Sequence, residues 1–485
     1  MQLLNRSTAG VGPAPPEAVI QFGGGNFLRA YAEWIIEVYN RTAAQPLGIL
    51  VVNNSNRKVY REWAAQGGLY HVLTRGLRDG AVVDEATLIT NVSRIISMDV
   101  DWDAFLDSAA QEAIRYVISN TTEAGIRYVE GDGLDGSPPQ EFPARLTAWL
   151  HRRYRFFGGA PERGCVVLPM ELIEDNGVRI RELVLRNAAA WQLERKFTAW
   201  ITEHCVFCNT LVDRIVPGVA AAELPTVWER IGFHDAAVTQ GEPYHLLAIE
   251  APIAVRQALP LDRIGLHVVY TDDLTAYRRS KVAILNGAHT AMVAVGYLSG
   301  KQTVGETLAD TITGPYLMEL IRREIIPTLD LPEVDLEAYA SDVLDRFMNP
   351  FIHHYLLSIS LNSVTKFRTR VLPSLLAYLD KRGDPPKRMV LALAALVWFY
   401  RGERDGKPIA LRDDDWAIQY LQSAWVACGK ANTDYAALSR TVLSWSQTWG
   451  EDLSIRAPLV NSLTHALRSI GERGMEGAVR DVVAS

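Results

Sequence analysis

The chain changes its hydrophobic pattern near the middle. Up to about residue 274, short runs of β-branched and other apolar residues alternate with stretches that repeat apolar residues every three or four positions. This alternation predicts successive βα units, and therefore a doubly wound parallel sheet. The predicted strands cover residues 18–22, 48–52, 114–118 and 165–168, and the predicted helices cover residues 27–39, 103–112 and 143–156.

From about residue 275 onward the helical period dominates and β-branched runs almost disappear. The pattern predicts helices over residues 276–298, 314–326, 336–347, 355–379, 387–400, 416–428, 435–445 and 459–470. We therefore predict an α/β N-terminal Rossmann-type doubly wound domain over residues 1–275. A mostly α-helical C-terminal domain is predicted over residues 276–485.

Composition excludes several classes of protein. The 485 residues, 48% of them hydrophobic, can form at least two cores. The formal net charge of −7, without a basic stripe, argues against a nucleic-acid partner. The longest apolar run, residues 389–400, is too short to cross a bilayer, and the N-terminus lacks a secretory signal pattern. With only four cysteines, the expected compartment is the cytoplasm.

A glycine-rich loop directly follows the first predicted strand. Residues 21–30 read Gln-Phe-Gly-Gly-Gly-Asn-Phe-Leu-Arg-Ala, and helical periodicity begins at once after the glycines. Glycines let the backbone approach a pyrophosphate, and a helix N-terminus offers free N–H groups. The spacing departs from G-x-G-x-x-G, so a simple tight turn is the alternative. The position after the first strand favours cofactor binding, and the candidate contacts are Gly23, Gly25, Asn26 and Phe27.

Two other predicted strand ends supply candidate cofactor contacts. The second strand ends in Val-Val-Asn53-Asn-Ser55, where an NAD-preferring fold usually has an acidic residue for the ribose hydroxyls. Asn53 is the predicted contact there. Because no carboxylate is present to repel a 2′-phosphate, we predict NADH as the preferred reductant with measurable turnover of NADPH. Thr121, Thr122 and Glu123 follow another strand and either line the ligand crevice or cap a turn.

The most informative segment is Arg278-Arg-Ser-Lys-Val-Ala-Ile-Leu-Asn-Gly-Ala-His-Thr290. In an α-helix Lys281 and His289 lie toward one side, with Asn286 beside His289. Polar groups in an otherwise apolar helix have to be hydrogen-bonded or functional, because unpaired burial is costly. The alternative is a helix end with a solvated lysine and a hydrogen-bonded core histidine.

This segment resembles the active-site signature K-x-x-x-x-N-x-x-H of the polyol-specific long-chain dehydrogenases, the family of mannitol dehydrogenase. The resemblance covers almost the whole chain and rests on six motifs in order. They occupy residues 21–30, 119–125, 209–215, 281–289, 346–350 and 365–370. These motifs look most similar to the branch of the family that acts on keto-hexuronates.

The resemblance implies a metal-independent, reversible hydride transfer with NAD, such as the reduction of tagaturonate to altronate. Lys281 is then the general acid and base, Asn286 and Asn209 polarise the carbonyl oxygen, and His289 positions substrate hydroxyls. The chemistry is coherent, because an ammonium can protonate the developing alkoxide while amide donors stabilise its charge. The N-terminal domain would bind NAD and the C-terminal domain would carry substrate-binding and catalytic groups.

A departure from the polyol branch favours an anionic sugar-acid substrate. Where mannitol dehydrogenases carry an acidic pair, this chain has Ile-Glu250-Ala-Pro, so one carboxylate is missing. Asn362, Lys366 and Arg370 are spaced to lie on one face of a helix. This face is either solvated and basic or in contact with the substrate. The family match favours a substrate contact by Lys366 and Arg370. Fructuronate and an uncharged polyol are the alternative substrates.

Two other interpretations are weaker. A non-catalytic nucleotide sensor would keep the Rossmann domain alone, but the intact set of Lys281, Asn286, His289 and Asn209 argues against it. Residues 204–208, His-Cys-Val-Phe-Cys, could form half of a zinc site, but no second pair stands at metal spacing. We therefore predict ordinary packing of these cysteines and no metal site.

Overall fold

The computed structural model describes residues 1–54, 57–134, 138–429 and 433–484. The chain divides into two compact units. The first unit comprises Met1–Arg75 and Val82–Leu274, and the second comprises Gly76–Ala81 and Thr275–Ser485. The segment Gly76–Ala81 forms the tip of a hairpin, because it contains the end of the strand Tyr70–Arg78, the turn after it and the first residue of the strand Ala81–Ile89. A linear hydrophobic pattern does not predict that this tip belongs with the second unit.

The first unit contains a six-stranded parallel sheet. Its strands are β1 (Glu17–Phe22), β2 (Gly48–Asn53), β3 (Val92–Ser97), β4 (Tyr116–Ser119), β5 (Val166–Pro169) and β6 (Val206–Phe207). Their order in the sheet is β3-β2-β1-β4-β5-β6, and the neighbours pair in parallel. This is the strand order of doubly wound dinucleotide-binding folds, which confirms the predicted α/β class.

The strands are apolar because both faces of the sheet are covered. Along β2 the side chains alternate between two cores: Ile49 and Val51 belong to one, and Leu50 and Val52 belong to the other. Phe22 of β1 pairs with Val52 on one side and with Ser119 of β4 on the other. The carboxyl ends of the central strands therefore lie at one edge of the sheet.

Helices cover the sheet, and the longer ones agree with the predicted segments. The glycine loop leads into a continuous helix over residues 26–40, built from Asn26–Leu28, the π-helical turn Arg29–Glu33 and Trp34–Asn40. The other α-helices of this unit are Lys58–Ala65, Trp102–Asp107, Phe142–Phe156, Asn176–Ala190, Arg195–His204, Leu224–Ile231 and Ile253–Ala258. A second sheet, made by Asn209–Asp213, Leu246–Glu250 and Val268–Thr271, was not predicted.

The second unit is mostly helical, as predicted. Its helices are Thr275–Ser280, Lys281–Gly287, Ala288–Leu298, Val304–Ala309, Thr313–Glu319, Leu320–Ile325, Glu333–Phe347, Leu356–Ile359, Ser363–Arg370, Leu372–Arg382, Lys387–Phe399, Asp415–Ala427, Tyr435–Leu443, Ser446–Trp449 and Ala457–Val483. The helix Lys387–Phe399 is the buried helix that its apolar run predicts, and none of the described helices is long and apolar enough to cross a membrane.

Two helix predictions were wrong. The single helix predicted over residues 355–379 is broken, because Asn362 adopts a left-handed conformation (φ 54°) and Pro373 stands in the first turn of the helix Leu372–Arg382. The helix predicted to end at residue 470 continues beyond it and kinks at Gly474, whose φ of 70° suits glycine.

Candidate active site

The glycine loop is a tight turn at the carboxyl end of β1. Gly23 has a φ of 106°, which an L side chain rarely adopts, and its N–H donates to Val52 O at 2.7 Å. A Cβ on Gly24 would lie 2.8 Å from the ring of Tyr60 and 3.1 Å from that of Trp63. These two glycines are therefore required by the turn and by the packing of the helix Lys58–Ala65 against it.

The third glycine leaves space for a ligand. A Cβ on Gly25 would meet nothing within 4 Å, and the helix begins at the next residue, Asn26. The first N–H groups of a helix have no partner inside it, and they carry its positive end. Backbone access and free N–H groups together fit the pyrophosphate of a dinucleotide. Asn26 is exposed and accepts a hydrogen bond from Arg29, while Phe27 stacks on Tyr31.

The residue predicted to contact the ribose, Asn53, lies at the end of β2. Asn53 is buried, and its amide donates to Ile96 O at 3.2 Å and lies 3.4 Å from Ser97 Oγ. This amide joins β2 to β3, so it is not presented at the sheet edge. Asn54 is exposed and its Oδ1 accepts a hydrogen bond from Arg145. Ser55, the next residue of the predicted tip, lies outside the described residues.

Thr121, Thr122 and Glu123 follow β4 at the same edge as the glycine loop. Thr122 and Glu123 are exposed, and Thr121 N donates to the carboxylate of Glu171 at 3.0 Å. Glu171 itself is buried, and burial raises its pKa to about 6. Sequence reasoning missed this carboxylate, although it follows β5 and the rule that strand ends line the crevice applies to it.

Asn209 has a structural task besides its predicted one. Its Oδ1 accepts from the backbone N–H groups of Gly177 and Val178, which are in the first turn of the helix Asn176–Ala190. Its Nδ2 donates to Glu250 at 3.3 Å. An amide nitrogen carries two hydrogens, and the predicted contact to a carbonyl oxygen depends on the second one.

The lysine segment is not α-helical throughout. The stretch Lys281–Gly287 is a π-helix inside the continuous helix over residues 275–298. Hydrogen bonds from i to i+5 widen this turn, and such turns are frequent at functional sites. Lys281 and Asn286 are five residues apart, and the π-helical winding brings them toward a common face of the helix. In an α-helix the same spacing would place them on different faces. Both residues are half-buried.

His289 is held neutral in an apolar and cationic environment. Its ring stacks on Phe347 at 4.3 Å and meets the ring of His354 edge-on at 5.4 Å. Burial, assisted by the charges of His354, Arg346, Arg370 and Lys366, lowers the pKa of His289 to about 3. Its Nε2 is buried and has no hydrogen-bond partner among the described residues. A neutral ring with an unpaired nitrogen suits a contact to a substrate hydroxyl.

Lys366 and Arg370 lie one turn apart on the helix Ser363–Arg370. Burial and then the charge of Arg370 lower the pKa of Lys366, and Lys366 Nζ donates to Ile359 O at 2.8 Å. Asn362 precedes this helix in a left-handed conformation, so the predicted face does not extend to it. Sequence reasoning also missed His354 and singled out Arg346 only as part of a motif.

The cysteines pack as predicted. Cys205 is buried in one core of the first unit and Cys208 is buried in the other, and burial raises the pKa of both thiols. Among the described residues, no group of three or more His, Cys, Asp or Glu side chains is placed to hold a metal ion.

A glycine-rich loop at the carboxyl end of the first strand of a doubly wound parallel sheet is typical of dinucleotide-dependent dehydrogenases. The fold therefore indicates this class of protein. Residues 17–263 match the model of the mannitol dehydrogenase Rossmann domain, and residues 273–471 match that of the mannitol dehydrogenase C-terminal domain. The chain belongs to the mannitol dehydrogenase family. The predicted family and dehydrogenase class are thereby confirmed, and the Rossmann match supports the predicted NAD cofactor.

Individual relatives agree with this assignment. The chain is 44% identical over 480 residues to the altronate oxidoreductase of Yersinia enterocolitica, covering 99% of both chains. It is also 44% identical over 485 residues to that of Pectobacterium atrosepticum, with the same coverage. Among solved structures, a D-sorbitol dehydrogenase superposes with a TM-score of 0.79 at 21% identity, covering 99% of this chain and 100% of that one. Pseudomonas fluorescens mannitol 2-dehydrogenase superposes with a TM-score of 0.65 at 22% identity, covering 100% of each chain.

Proposed function

We propose that this protein is an NAD-dependent oxidoreductase that reduces the keto-hexuronate D-tagaturonate to D-altronate with NADH, reversibly and without a metal ion. The observation that carries the substrate class is the set of cations around His289. The charges of Arg346, Lys366 and Arg370 all lower the pKa of this half-buried ring, and like charges held close together favour an anionic ligand. The altronate oxidoreductases that share 44% identity support this particular sugar acid.

The residues divide the chemistry among them. NADH supplies the hydride when it is bound, and Gly23, Gly25, Asn26 and Phe27, with Thr121, Thr122 and Glu123, would hold it. The ammonium of Lys281 would donate its proton to the ketone oxygen as that oxygen becomes an alcohol, and it would take the proton back in the reverse reaction. Asn286 would stabilise the charge on this oxygen with an amide N–H, and we keep the same predicted role for Asn209.

The substrate is contacted by two further kinds of group in this proposal. The unpaired Nε2 of His289 would bind a sugar hydroxyl, because a neutral imidazole can donate or accept there. Lys366 and Arg370 would bind the carboxylate through charge-assisted hydrogen bonds. This assignment distinguishes a sugar acid from the uncharged polyols and ketoses of other family members.

A substrate panel tests the proposal. We expect NADH oxidation to be fastest, by kcat/KM, with D-tagaturonate, slower with D-fructuronate, and slowest with the uncharged ketoses D-tagatose and D-fructose. Absorbance at the NADH band measures all four, and the same assay run backward with D-altronate and NAD tests reversibility. A preference for fructuronate would assign the protein to the alternative sugar acid, and a preference for fructose would overturn the sugar-acid assignment.

Metal removal is expected to have no effect. The proton donor in the mechanism is a lysine, so no step requires a Lewis acid. Activity should be unchanged after prolonged dialysis against EDTA, and the purified protein should contain no stoichiometric zinc. One equivalent of tightly bound zinc, with activity lost on its removal and restored on its return, would contradict this expectation.

Cofactor choice is expected to depend on Asn54. A carboxylate at the end of β2 binds the ribose diol and repels a 2′-phosphate, and this chain has an exposed asparagine there. NADH should be preferred, NADPH should support measurable turnover, and Asn54→Asp should lower kcat/KM for NADPH relative to NADH by about tenfold, which corresponds to ~1.4 kcal/mol.

The neighbouring residue provides the control for this experiment. Asn53→Asp would bury a carboxylate and lose the donor to Ile96 O, so we expect it to lower the melting temperature rather than to change the cofactor ratio. An unchanged NADPH to NADH ratio in Asn54→Asp would show that this strand end does not contact the ribose.

A further inference from the structure

A buried polar cluster lies directly behind the glycine loop, and the proposed mechanism does not use it. Glu33 and Gln21 are both 0% exposed. Glu33 ends the π-helical turn Arg29–Glu33, and Gln21 lies in β1 one residue before its end. A carboxylate in such a position is costly unless its hydrogen bonds are specific, so the cluster needs an explanation.

Gln21 connects Glu33 to the loop. Its Nε2 donates to Glu33 Oε1 at 2.7 Å and to the carbonyl oxygen of Gly23 at 2.8 Å. Both partners are acceptors, so the two hydrogens of one amide nitrogen satisfy both contacts, and the carboxylate fixes which way the amide points. The N–H of Gly23 is bonded to Val52 O, so the peptide groups on both sides of this residue are held.

The other carboxylate oxygen is held independently of the loop. Tyr70 OH donates to Glu33 Oε2 at 2.6 Å. Burial raises the pKa of Glu33 to about 7, against the opposing effects of Tyr70, Gln21 and the Arg29 charge. Arg29 makes a second connection to the loop, because its Nη2 donates to Asn26 Oδ1 at 2.6 Å. Arg29 is thus bonded to the first residue of the helix, and Glu33 is connected to the glycine turn through Gln21.

We propose that Glu33 is a positioning residue for the dinucleotide, and that it acts through Gln21 on the carbonyl of Gly23. The inference rests on the proposed binding of NAD at this loop. Gly23 has a left-handed backbone that the chain has to hold in place before the pyrophosphate arrives, and a loop that is already ordered costs less to bind. Glu33 itself is fully buried and does not touch the cofactor in this proposal.

Two single variants separate positioning from general packing. Gln21→Met should raise the Kd for NADH about tenfold, because it leaves the Gly23 carbonyl without its donor, and should leave kcat at saturating NADH within about twofold. Tyr70→Phe is the matched control, because it removes the hydroxyl contacts to Glu33 and to Arg29 O but leaves the connection from Gln21 to Gly23 intact. Its Kd for NADH should stay within about twofold of wild type even if its melting temperature falls.

A double-mutant cycle tests whether Glu33 acts through Gln21. Glu33→Leu should raise the Kd for NADH about as much as Gln21→Met does, and the double variant should be no worse than either, because both changes interrupt the same connection. Glu33→Gln keeps an acceptor for Gln21 and should restore most of the affinity. If the effects multiply to about a hundredfold in the double variant, or if Tyr70→Phe weakens NADH binding as much as Gln21→Met, the proposal is overturned.

NADH binding is measured by fluorescence titration without any sugar, so the result does not depend on the substrate. Wild-type protein that binds NADH but does not reduce tagaturonate would overturn the proposed function and leave this cycle interpretable. Wild-type protein that does not bind NADH would overturn the cofactor assignment, and the positioning role with it. Should Glu33→Leu fail to fold, Gln21→Met against Tyr70→Phe decides the question.

Discussion

Replacing Lys281 by methionine is expected to lower kcat by about 10²–10⁴-fold, while the Kd for NADH stays within about twofold of wild type. Methionine keeps an unbranched side chain in a half-buried position, so the helix should fold as before. What it removes is the proton donor for the ketone oxygen. Lys281 is not one of the proposed NADH contacts, so cofactor affinity should not follow the loss of turnover.

The measurement is single-turnover and steady-state reduction of tagaturonate, with NADH affinity determined separately. Lys381→Met is the matched control, because Lys381 is an exposed lysine of the same unit that donates only to Pro327 O among the contacts described. Its kcat should not change. Lys281→Arg should be almost as slow as Lys281→Met, because a guanidinium keeps the charge but is too weak an acid to give up its proton. Near-normal turnover in Lys281→Met would exclude the lysine as general acid.

The position of the glycine loop and of the strand ends beside it could be predicted from the sequence, because both depend on local patterns. A strand, a run of glycines and the start of a helix place the loop at residues 23–25, and parallel pairing brings the end of β4 beside it. Which side chain of a strand end is presented depends on the neighbouring strand. The sequence does not distinguish the two neighbouring asparagines, Asn53 and Asn54. The contacts of Asn53 to Ile96 and Ser97 in the structure identify it as the buried one.

The helical unit was predicted less well, because breaks and widened turns depend on tertiary packing. Apolar spacing continues through residues 355–379 although Asn362 and Pro373 interrupt the helix. The π-helical turn Lys281–Gly287 also has no distinct periodicity, yet it decides which face Lys281 and Asn286 share. The cations around His289 come from the separate helices Glu333–Phe347 and Ser363–Arg370, and no local pattern connects them.

Removing Lys366 should impair the reduction of a sugar acid much more than that of an uncharged ketose. Truncating a charge-assisted hydrogen bond to a carboxylate costs on the order of 1.5–3 kcal/mol, so kcat/KM for tagaturonate should fall about 10–100-fold in Lys366→Ala, mainly through KM. Tagatose lacks the carboxylate, and its kcat/KM should change by no more than about twofold. The pKa of Lys366 is lowered by burial and by Arg370, so a bound anion would relieve the repulsion between these two cations.

Arg368→Ala is the control for this comparison, because Arg368 is an exposed cation on the same helix and its loss changes the net charge by the same amount. It should leave both substrates unaffected, which would exclude a long-range effect of charge. Arg370→Ala should resemble Lys366→Ala if the two cations share the carboxylate. An equal loss of kcat/KM for tagaturonate and tagatose in Lys366→Ala would contradict this prediction. It would mean that Lys366 supports the helix through its hydrogen bond to Ile359 O and does not recognise the carboxylate. Arg346 or Arg370 would then be the cation to test.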